Sequence, residues 1–441
     1  MAFKPPVRDT DDAGNKASST KIISYQKSKM SEKGIMEEFS RIKRECQCRV
    51  QHLPFVGAFI LTYQNKNEFS SNLLSVNRAK EVMVEDEIVG IFGDSLQSTR
   101  TPNDPSFHTQ WPLANLPNGA DINAQKGWAE YLSDPVGGSS NGPNVIVAVI
   151  DTGVDYNHPE LRNMMWTNPG EVAGNGIDDD LNGIVDDIHG ADFTSNTPNG
   201  DPIDRHSHGT HCAGIIGAQE NNGEGIAGVA SFTQSKVKIM AVKGLSDRGT
   251  GSMSGLLASL NYAIAHGAKI SSNSWGSQRS ISKGIEQMWD NVLQNNLDHL
   301  FVAAAGNDNK VLNENYTPMA CGLKEPNLLC VASSNEENGR SSFSNYGSQY
   351  VHVVAPGSNV YSTEPNNRYG RKSGTSMACP HVSGLAALIM SMRCDIEGEK
   401  LKQMIEANVQ KKTAYDGVVS SGGLIDVGKT IQALKSGGKH I

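Results

Sequence analysis

Few aromatic side chains, no surplus of positive charge and no long apolar run bound what this 441-residue chain can be. Aromatic residues make up 6% of it while glycine occurs 45 times, a balance that suits a turn-rich α/β enzyme better than a helical bundle. Lys and Arg number 39 against 47 Asp and Glu, a formal net charge of −8. With no basic stripe, nucleic acid is excluded as the main partner. No uninterrupted apolar run reaches the roughly 18 residues that a membrane span needs, so no transmembrane segment is expected. Residues 1–20, MAFKPPVRDTDDAGNKASST, lack the apolar core of a signal peptide and read as a disordered polar tail. No internal repeat is visible. Cysteine is sparse, and the odd count of seven leaves at least one thiol unpaired. The length is generous for one core and calls for two or three domains.

Residues 21–94 differ in character from the rest of the chain. KIISYQ reads as a strand, SEKGIMEEFSRIKREC as an amphipathic helix and VGAFILTY as a buried strand. NEFSSNLL suggests a short helix and KEVMVEDEIVGIF a closing strand, with an extra strand near Cys48 to Val50. That succession predicts a small α+β ferredoxin-like domain. Residues 95–140, rich in Ser, Asn, Pro and Gly, read as a linker with an N-terminal extension. From 141 to 441 short apolar strands such as NVIVAVI, KVKIMAVK, HLFVAAAG and LLCVASS alternate with helical stretches. The expected fold is therefore α/β, a mostly parallel sheet with helices on both faces. Ligands in such sheets bind at the carboxyl ends of strands, where Asp151 and the pair Gly306-Asn307 lie.

Three strings carry the chemistry. VAVIDTGVDYNHPEL ends a strand on Asp151, RHSHGTHCAGIIG opens a helix at His208, and GTSMACPHVSG presents Ser376 at a helix start. A hydroxyl, an imidazole and a carboxylate are the parts of a nucleophilic triad. Their order along the chain, Asp, His, Ser, excludes the α/β-hydrolases and the chymotrypsin order. His208 and His211 stand three apart, yet HGTH lacks the Glu of a zinc-binding H-E-x-x-H. A second signal is NGIDDDLNGIVDDIHG. Asp178, Asp180, Asn182, Gly183 and Asp186 match an EF-hand loop, with Ile184 offering its backbone carbonyl, although His189 stands where that loop ends on Glu. Dense alternate oxygens around a Gly turn predict calcium. Cys321 and Cys330 flank a Gly/Pro-containing loop that suits a loop-closing disulfide, while Cys212 and Cys379 fall in predicted helices as buried thiols.

In motif order and spacing, residues 105 to about 430 resemble the subtilisin-like serine proteases, and most resemble those of apicomplexan parasites. The resemblance implies Asp151, His208 and Ser376 as the triad, His211 as a structural neighbour, and Asn307 as the oxyanion donor. It implies two edges for an extended peptide, Ser274-Trp275-Gly276 and Gly249-Thr250-Gly251, with Met253, Leu256 and Trp275 lining an apolar pocket or belonging to the core. It also implies a second calcium site at Glu160 and Asn222, where relatives usually carry Asp in place of Glu160. The segment Val84 to Glu87 resembles the end of a subtilisin prodomain, making residues 21–94 an inhibitory prodomain. Self-cleavage is then expected at Asp94–Ser95, with Ile91 in the apolar pocket and Gly93 against His208. The expected protein is a monomeric, calcium-dependent endopeptidase zymogen acting on protein substrates, with its own prodomain as inhibitor. Calcium, a disulfide and a zymogen form point to a secretory or extracellular route, with the signal peptide lying outside this chain. The rival readings are a catalytically silent binding module and a peptide ligase on the same fold.

Overall fold

The computed structural model describes residues 106–113, 118–134, 144–233, 236–277, 283–314, 316, 319–323 and 325–436, and, as backbone alone, 19–24, 49–53, 58–63, 83–85 and 88–91. The five early segments are strands: β1 (Ser19–Ser24), β2 (Arg49–Leu53), β3 (Ala58–Tyr63), β4 (Met83–Glu85) and β5 (Ile88–Ile91). The first four form an antiparallel sheet in the order β2-β3-β1-β4. The extra strand expected near Cys48 is β2. The two helices expected at SEKGIMEEFSRIKREC and NEFSSNLL lie outside the described residues. The closing strand differs from expectation because it contributes two described strands, Met83–Glu85 and Ile88–Ile91, that pair with different sheets. β4 edges the small sheet, whereas β5 leaves it to join the following domain.

That domain is built from β6 (Val145–Asp151), β7 (Gly190–Asp192), β8 (Val237–Lys243), β9 (Thr250–Ser252), β10 (Ile270–Asn273), β11 (Trp275–Gly276), β12 (Leu300–Ala304), β13 (Leu328–Ser334) and β14 (Val353–Pro356). The hairpin β15 (Val360–Glu364) and β16 (Arg368–Lys372) comes next, then β17 (Gln410–Lys411) and β18 (Gly423–Leu424). Its helices are α1 (Ala124–Leu132), α2 (His208–Gly217), α3 (Met253–Ala265), α4 (Lys283–Gln294), α5 (Met319–Gly322), α6 (Thr375–Met392), α7 (Gly398–Ala407) and α8 (Val427–Lys435). A nine-stranded sheet runs β17-β18-β14-β13-β12-β10-β6-β8-β7, parallel at every pairing but β17–β18.

Central strands read as continuous apolar runs because both of their faces are covered; β12 and β13 are buried at every position. α2 packs on α6, and α6 lies across β10, β12, β13 and β14. By length and composition alone α6 is apolar enough to cross a membrane, but all of it is buried as the central helix of this core. The strand ends that carry Asp151 and precede Asn307 come from β6 and β12, with β10 between them.

Two buried histidines make the core acid-labile. His299 bridges Ala268 O and Ser271 Oγ at 2.9 Å each, and His381 donates to Met377 O at 2.8 Å. Burial pushes both from 6.5 down to about 4. Between pH 6.5 and about 4 the unfolded chain therefore binds protons that the folded chain refuses, so this contribution to stability is lost on acidification. Each histidine should cost about 1.4 kcal/mol per pH unit in that window. Melting temperatures of the wild type and of His299→Gln/His381→Gln at pH 7, 5.5 and 4.5 test this. The double variant should show the shallower acid loss, and equal slopes would refute it.

Candidate active site

Asp151 closes β6 fully buried, and its Oδ1 accepts both the backbone N–H of Thr152 (2.7 Å) and Nδ1–H of His208 (2.7 Å). The chain can turn there because Gly153 has φ +99°, and α2 can approach because a Cβ on Gly209 would overlap the Gly153 carbonyl. Nothing in the motif advertised what aims His208. Buried Asp204 accepts from Thr152 Oγ1 (3.0 Å), from the N–H groups of His206 (2.8 Å), Ser207 (2.9 Å) and Thr210 (2.9 Å), and from Thr210 Oγ1 (2.6 Å). A carboxylate there satisfies orphan N–H groups and complements the positive end of α2. Ser207, just before His208, is held at φ +89°, a conformation that costs a non-glycine residue about 1–3 kcal/mol. Lys243, buried opposite Asp151 across the β6–β8 ladder, donates to Thr152 O at 2.6 Å and to Asp247 at 2.7 Å.

Ser376 is the second residue of α6 and fully buried. Four residues on, Pro380 has no N–H to give, so the Ser376 carbonyl is free of the helical ladder. Ser274 Oγ (2.9 Å) and the Cys212 thiol (3.5 Å) donate to it instead. Cys212 lies one turn after His208 on α2, so this contact ties the helix that carries His208 to the start of α6. The Ser376 hydroxyl donates to Ser274 O at 3.1 Å. His208 Nε2 is shielded from solvent and has no partner among the described residues. Cys212 and Cys379 are free buried thiols, as expected. Burial keeps both protonated, well above the usual range for Cys212 and at about 11 for Cys379, so neither competes as a thiolate. His211 is fully buried, facing Val360 O (3.1 Å) and Gly370 O (3.3 Å), and burial holds it neutral. It is a structural neighbour.

Asn307 comes after β12, joined to it through Ala305 and Gly306. Its Oδ1 accepts from Thr375 N (2.8 Å) and Thr375 Oγ1 (3.1 Å), leaving Nδ2 shielded from solvent with no partner among the described residues. An amide whose oxygen is occupied and whose N–H groups are unpaired is poised to donate to a developing negative charge.

The two expected edges lie on either side of β5. Ile91 pairs with Trp275 and Gly90 with Gly276; on the other side Ile88 pairs with Ser252, Val89 with Gly251 and Gly90 with Thr250. All pairs are antiparallel. Gly249 makes the turn into β9 at φ +72°. Trp275 offers its backbone to the edge and its indole to the core, where Nε1 donates to Ile150 O at 2.9 Å beside Trp289 and Phe301. Met253 and Leu256 are also fully buried. Asp94 and Ser95 lie outside the described residues.

The acidic loop gathers a different set of oxygens from the one its spacing predicts. Glu171, Asp178 and Asp180 bring carboxylate oxygens within 4.8 Å of one another, and Asp180, Asp187 and His266 bring two carboxylate oxygens and an imidazole nitrogen equally close. Asp186 turns away to accept from the N–H groups of Gly174 (2.7 Å) and Gly176 (3.0 Å). Asn182 and Ile184 stay local, with Ile184 N donating to Asn182 Oδ1 at 2.8 Å, while Asn182 Nδ2 reaches Asp180 (3.1 Å) and Asp187 (3.0 Å). Burial raises Asp187. Burial also works against Asp180, but hydrogen bonds from Asn168 and Asn182, with His266 alongside, hold it below the usual carboxylate range. Among the described residues no Lys or Arg pairs with Glu171, Asp178 or Asp180; their oxygens accept N–H groups of Asp179, Asp180, Asp186, Asn182 and Gly183, which leaves three clustered negative charges met by dipoles alone, a set that a hard cation would neutralise.

Glu160 is a lone buried carboxylate whose expected partner Asn222 faces it with a donor in place of an oxygen. Its carboxylate is filled by protein donors: Ile226 N and Tyr369 O–H at 2.9 Å each, and Asn222 Nδ2 at 3.1 Å. Asn222 spends its oxygen on Glu224 N at 2.8 Å, so the amide turns a donor towards Glu160. Burial raises Glu160 to about 7. The disulfide Cys321–Cys330 is present, with Cα atoms 5.4 Å apart.

The chain is 32% identical over 349 residues to Subtilisin-like protease 1 of Plasmodium falciparum, an alignment covering 75% of this chain and 49% of that protein. It is thus matched along about half the length of these malarial relatives. It is 33% identical over 335 residues to Thermitase of Thermoactinomyces vulgaris, covering 75% of this chain and 99% of thermitase. The Major intracellular serine protease of Bacillus subtilis is 34% identical over 289 residues, 65% of this chain and 79% of that protein. The profile of the peptidase S8 subtilase family matches residues 142–424. Because that span runs from just before β6 to the end of β18, taking in the whole parallel sheet and the three motifs it carries, the chain belongs to the subtilase family.

Proposed function

We propose that this chain is a serine endopeptidase made as a self-cleaving zymogen, with calcium held in its acidic loop. One observation carries the proposal: β5 fills the gap between β9 and β11 as an added antiparallel strand, and β11 starts one residue after Ser274, whose carbonyl accepts the Ser376 hydroxyl at 3.1 Å. A protease that grips backbone amides at two sheet edges binds any extended peptide this way. In the reaction Ser376 Oγ leaves Ser274 O, gives its proton to His208 Nε2 and attacks the peptide carbonyl. Asp151 stabilises the imidazolium, and Asn307 Nδ2 with the Ser376 N–H receives the oxyanion. His208 then returns the proton to the departing amine, and water cleaves the acyl-enzyme with the same base. A cavity of about 870 Å³ beside Ser207, lined by Asp155, His158, Arg205, His206, Glu364 and Arg368, offers room for residues beyond the cut bond. Substrates are proteins, the prodomain is the first substrate and then an inhibitor, and the disulfide suits an oxidising secretory or extracellular setting. A fluorophosphonate probe should label the wild type at Ser376, and absence of that label in folded protein would refute the reading.

The proposed processing bond is Asp94–Ser95. In the pairing described, Ile91 is opposite Trp275 and Val89 opposite Gly251. Cutting after Asp94 asks β5 to advance by two residues, which keeps every side chain on its own face because strand alternation has period two. Ile91 then takes the place of Val89, one aliphatic residue for another. Mass spectrometry of the processed protein should find an N-terminus at Ser95; one at Gly93 would mean that the pairing described is itself the cleaved register.

Glu171, Asp178 and Asp180 are the residues proposed to hold calcium, which supplies positive charge to three crowded carboxylates. At a hundred times its Kd, calcium should add about 2.7 kcal/mol of stability. The melting temperature should fall by several degrees with chelator, and Asp178→Asn/Asp180→Asn should abolish the difference. An unchanged melting temperature in the wild type would end the calcium assignment.

A further inference from the structure

Between β13 and β14 a single fully buried amide, Asn345, reaches the loop that comes after β12. Its Oδ1 accepts from Asp308 N (3.1 Å) and from Lys310 N (2.9 Å). Its Nδ2 donates to Ala305 O (2.9 Å), and its backbone N–H to Gly306 O (2.9 Å). Four hydrogen bonds thus bracket Asn307 on both sides without touching it. The loop needs such a clamp because its own backbone makes no regular ladder there: Gly306 sits at φ +96° and Asn309 at φ +53°. A neighbouring bond, Asn309 N to Phe343 O at 2.7 Å, closes the same contact.

The geometry points to Asn345 as a positioning residue for the oxyanion donor, acting through Asn307. Thr375 holds the oxygen end of the Asn307 amide. Asn345 holds the backbone from which that side chain springs, so together they determine where Nδ2 points. Preorganised donors are effective because they need no rearrangement as charge develops, and a displacement of an ångström removes most of that benefit. Asn345 touches neither substrate nor nucleophile. Its loss should therefore appear in kcat and only in the presence of Asn307.

The inference rests on Asn307 being the oxyanion donor, and a double-mutant cycle on the full chain separates the two ideas. Asn345→Ala should lower kcat by about 10–100-fold with KM within about twofold. Added to Asn307→Ala, it should change kcat by less than about threefold. Asn345→Asp keeps an acceptor for Asp308 and Lys310, and should fold where the alanine variant does not; its smaller kcat loss should likewise vanish in the Asn307→Ala background. If Asn307→Ala itself leaves kcat unchanged, the oxyanion assignment fails. If Asn307→Ala lowers kcat but the Asn345 losses multiply onto it undiminished, or fall on KM, the oxyanion assignment stands and Asn345 is merely structural.

Discussion

Ser376→Ala should lower kcat by about 10⁶-fold, the size of loss that removal of the nucleophile causes in subtilisin, a member of this family. The variant should also remain one uncut chain in the absence of other proteases. The structure gives a reason to expect a well-folded protein. The anchoring contacts run through the Ser376 carbonyl, which Ser274 and Cys212 reach because Pro380 leaves it free, and an alanine retains that carbonyl. The lost hydroxyl contact is the one to Ser274 O. Near-normal turnover of peptide by Ser376→Ala, or its cleavage at the same prodomain bond, would refute both the nucleophile and autoprocessing.

The second large effect is expected at Asn307. Asn307→Ala removes the Nδ2 donor that stands unpaired behind the Thr375 contacts, and should cost about 10²–10³ in kcat while KM stays nearly constant. The split reflects timing. A ground-state carbonyl presents little charge to that donor, whereas the tetrahedral oxyanion presents a full one. Titration of active sites in the same preparation establishes that the loss lies in rate and not in folded fraction. A rise in KM with kcat preserved would assign Asn307 to substrate binding instead.

How much of this was legible beforehand depends on how far each feature's partners lie along the chain. Asp151, His208, Asn307 and Ser376 could be proposed from their motifs because each proposed role begins locally, at a strand end or a helix start, and their order along the chain selects among known triads. The alternation of apolar strands with helical stretches likewise determined a parallel α/β sheet, since both faces of such strands must be covered. The Cys321–Cys330 bridge was legible from a nine-residue separation.

Spacing alone does not give the arrangement of the acidic loop, although Asp178 and Asp180 do converge. Asp186 satisfies glycine N–H groups ten and twelve residues earlier, and Glu171, outside the repeating pattern, takes its place among the clustered oxygens. Local pattern reports where a carboxylate stands in sequence, while backbone donors that the loop must satisfy decide where it points. The resemblance pairs Glu160 with Asn222 across 62 residues, and the structure brings the two together through a hydrogen bond, while Tyr369, 209 residues away, supplies a donor that no local pattern announces. KEVMVEDEIVGIF reads as one strand in sequence, but the edges of β9 and β11 take β5 away from the sheet that β4 joins. The sequence by itself determined the family, the fold class and the residues proposed as the reacting groups. The tertiary structure decided which oxygens converge, which strand crosses between domains and which buried amides and carboxylates aim the reacting groups, because those choices rest on hydrogen bonds between segments that no local periodicity connects.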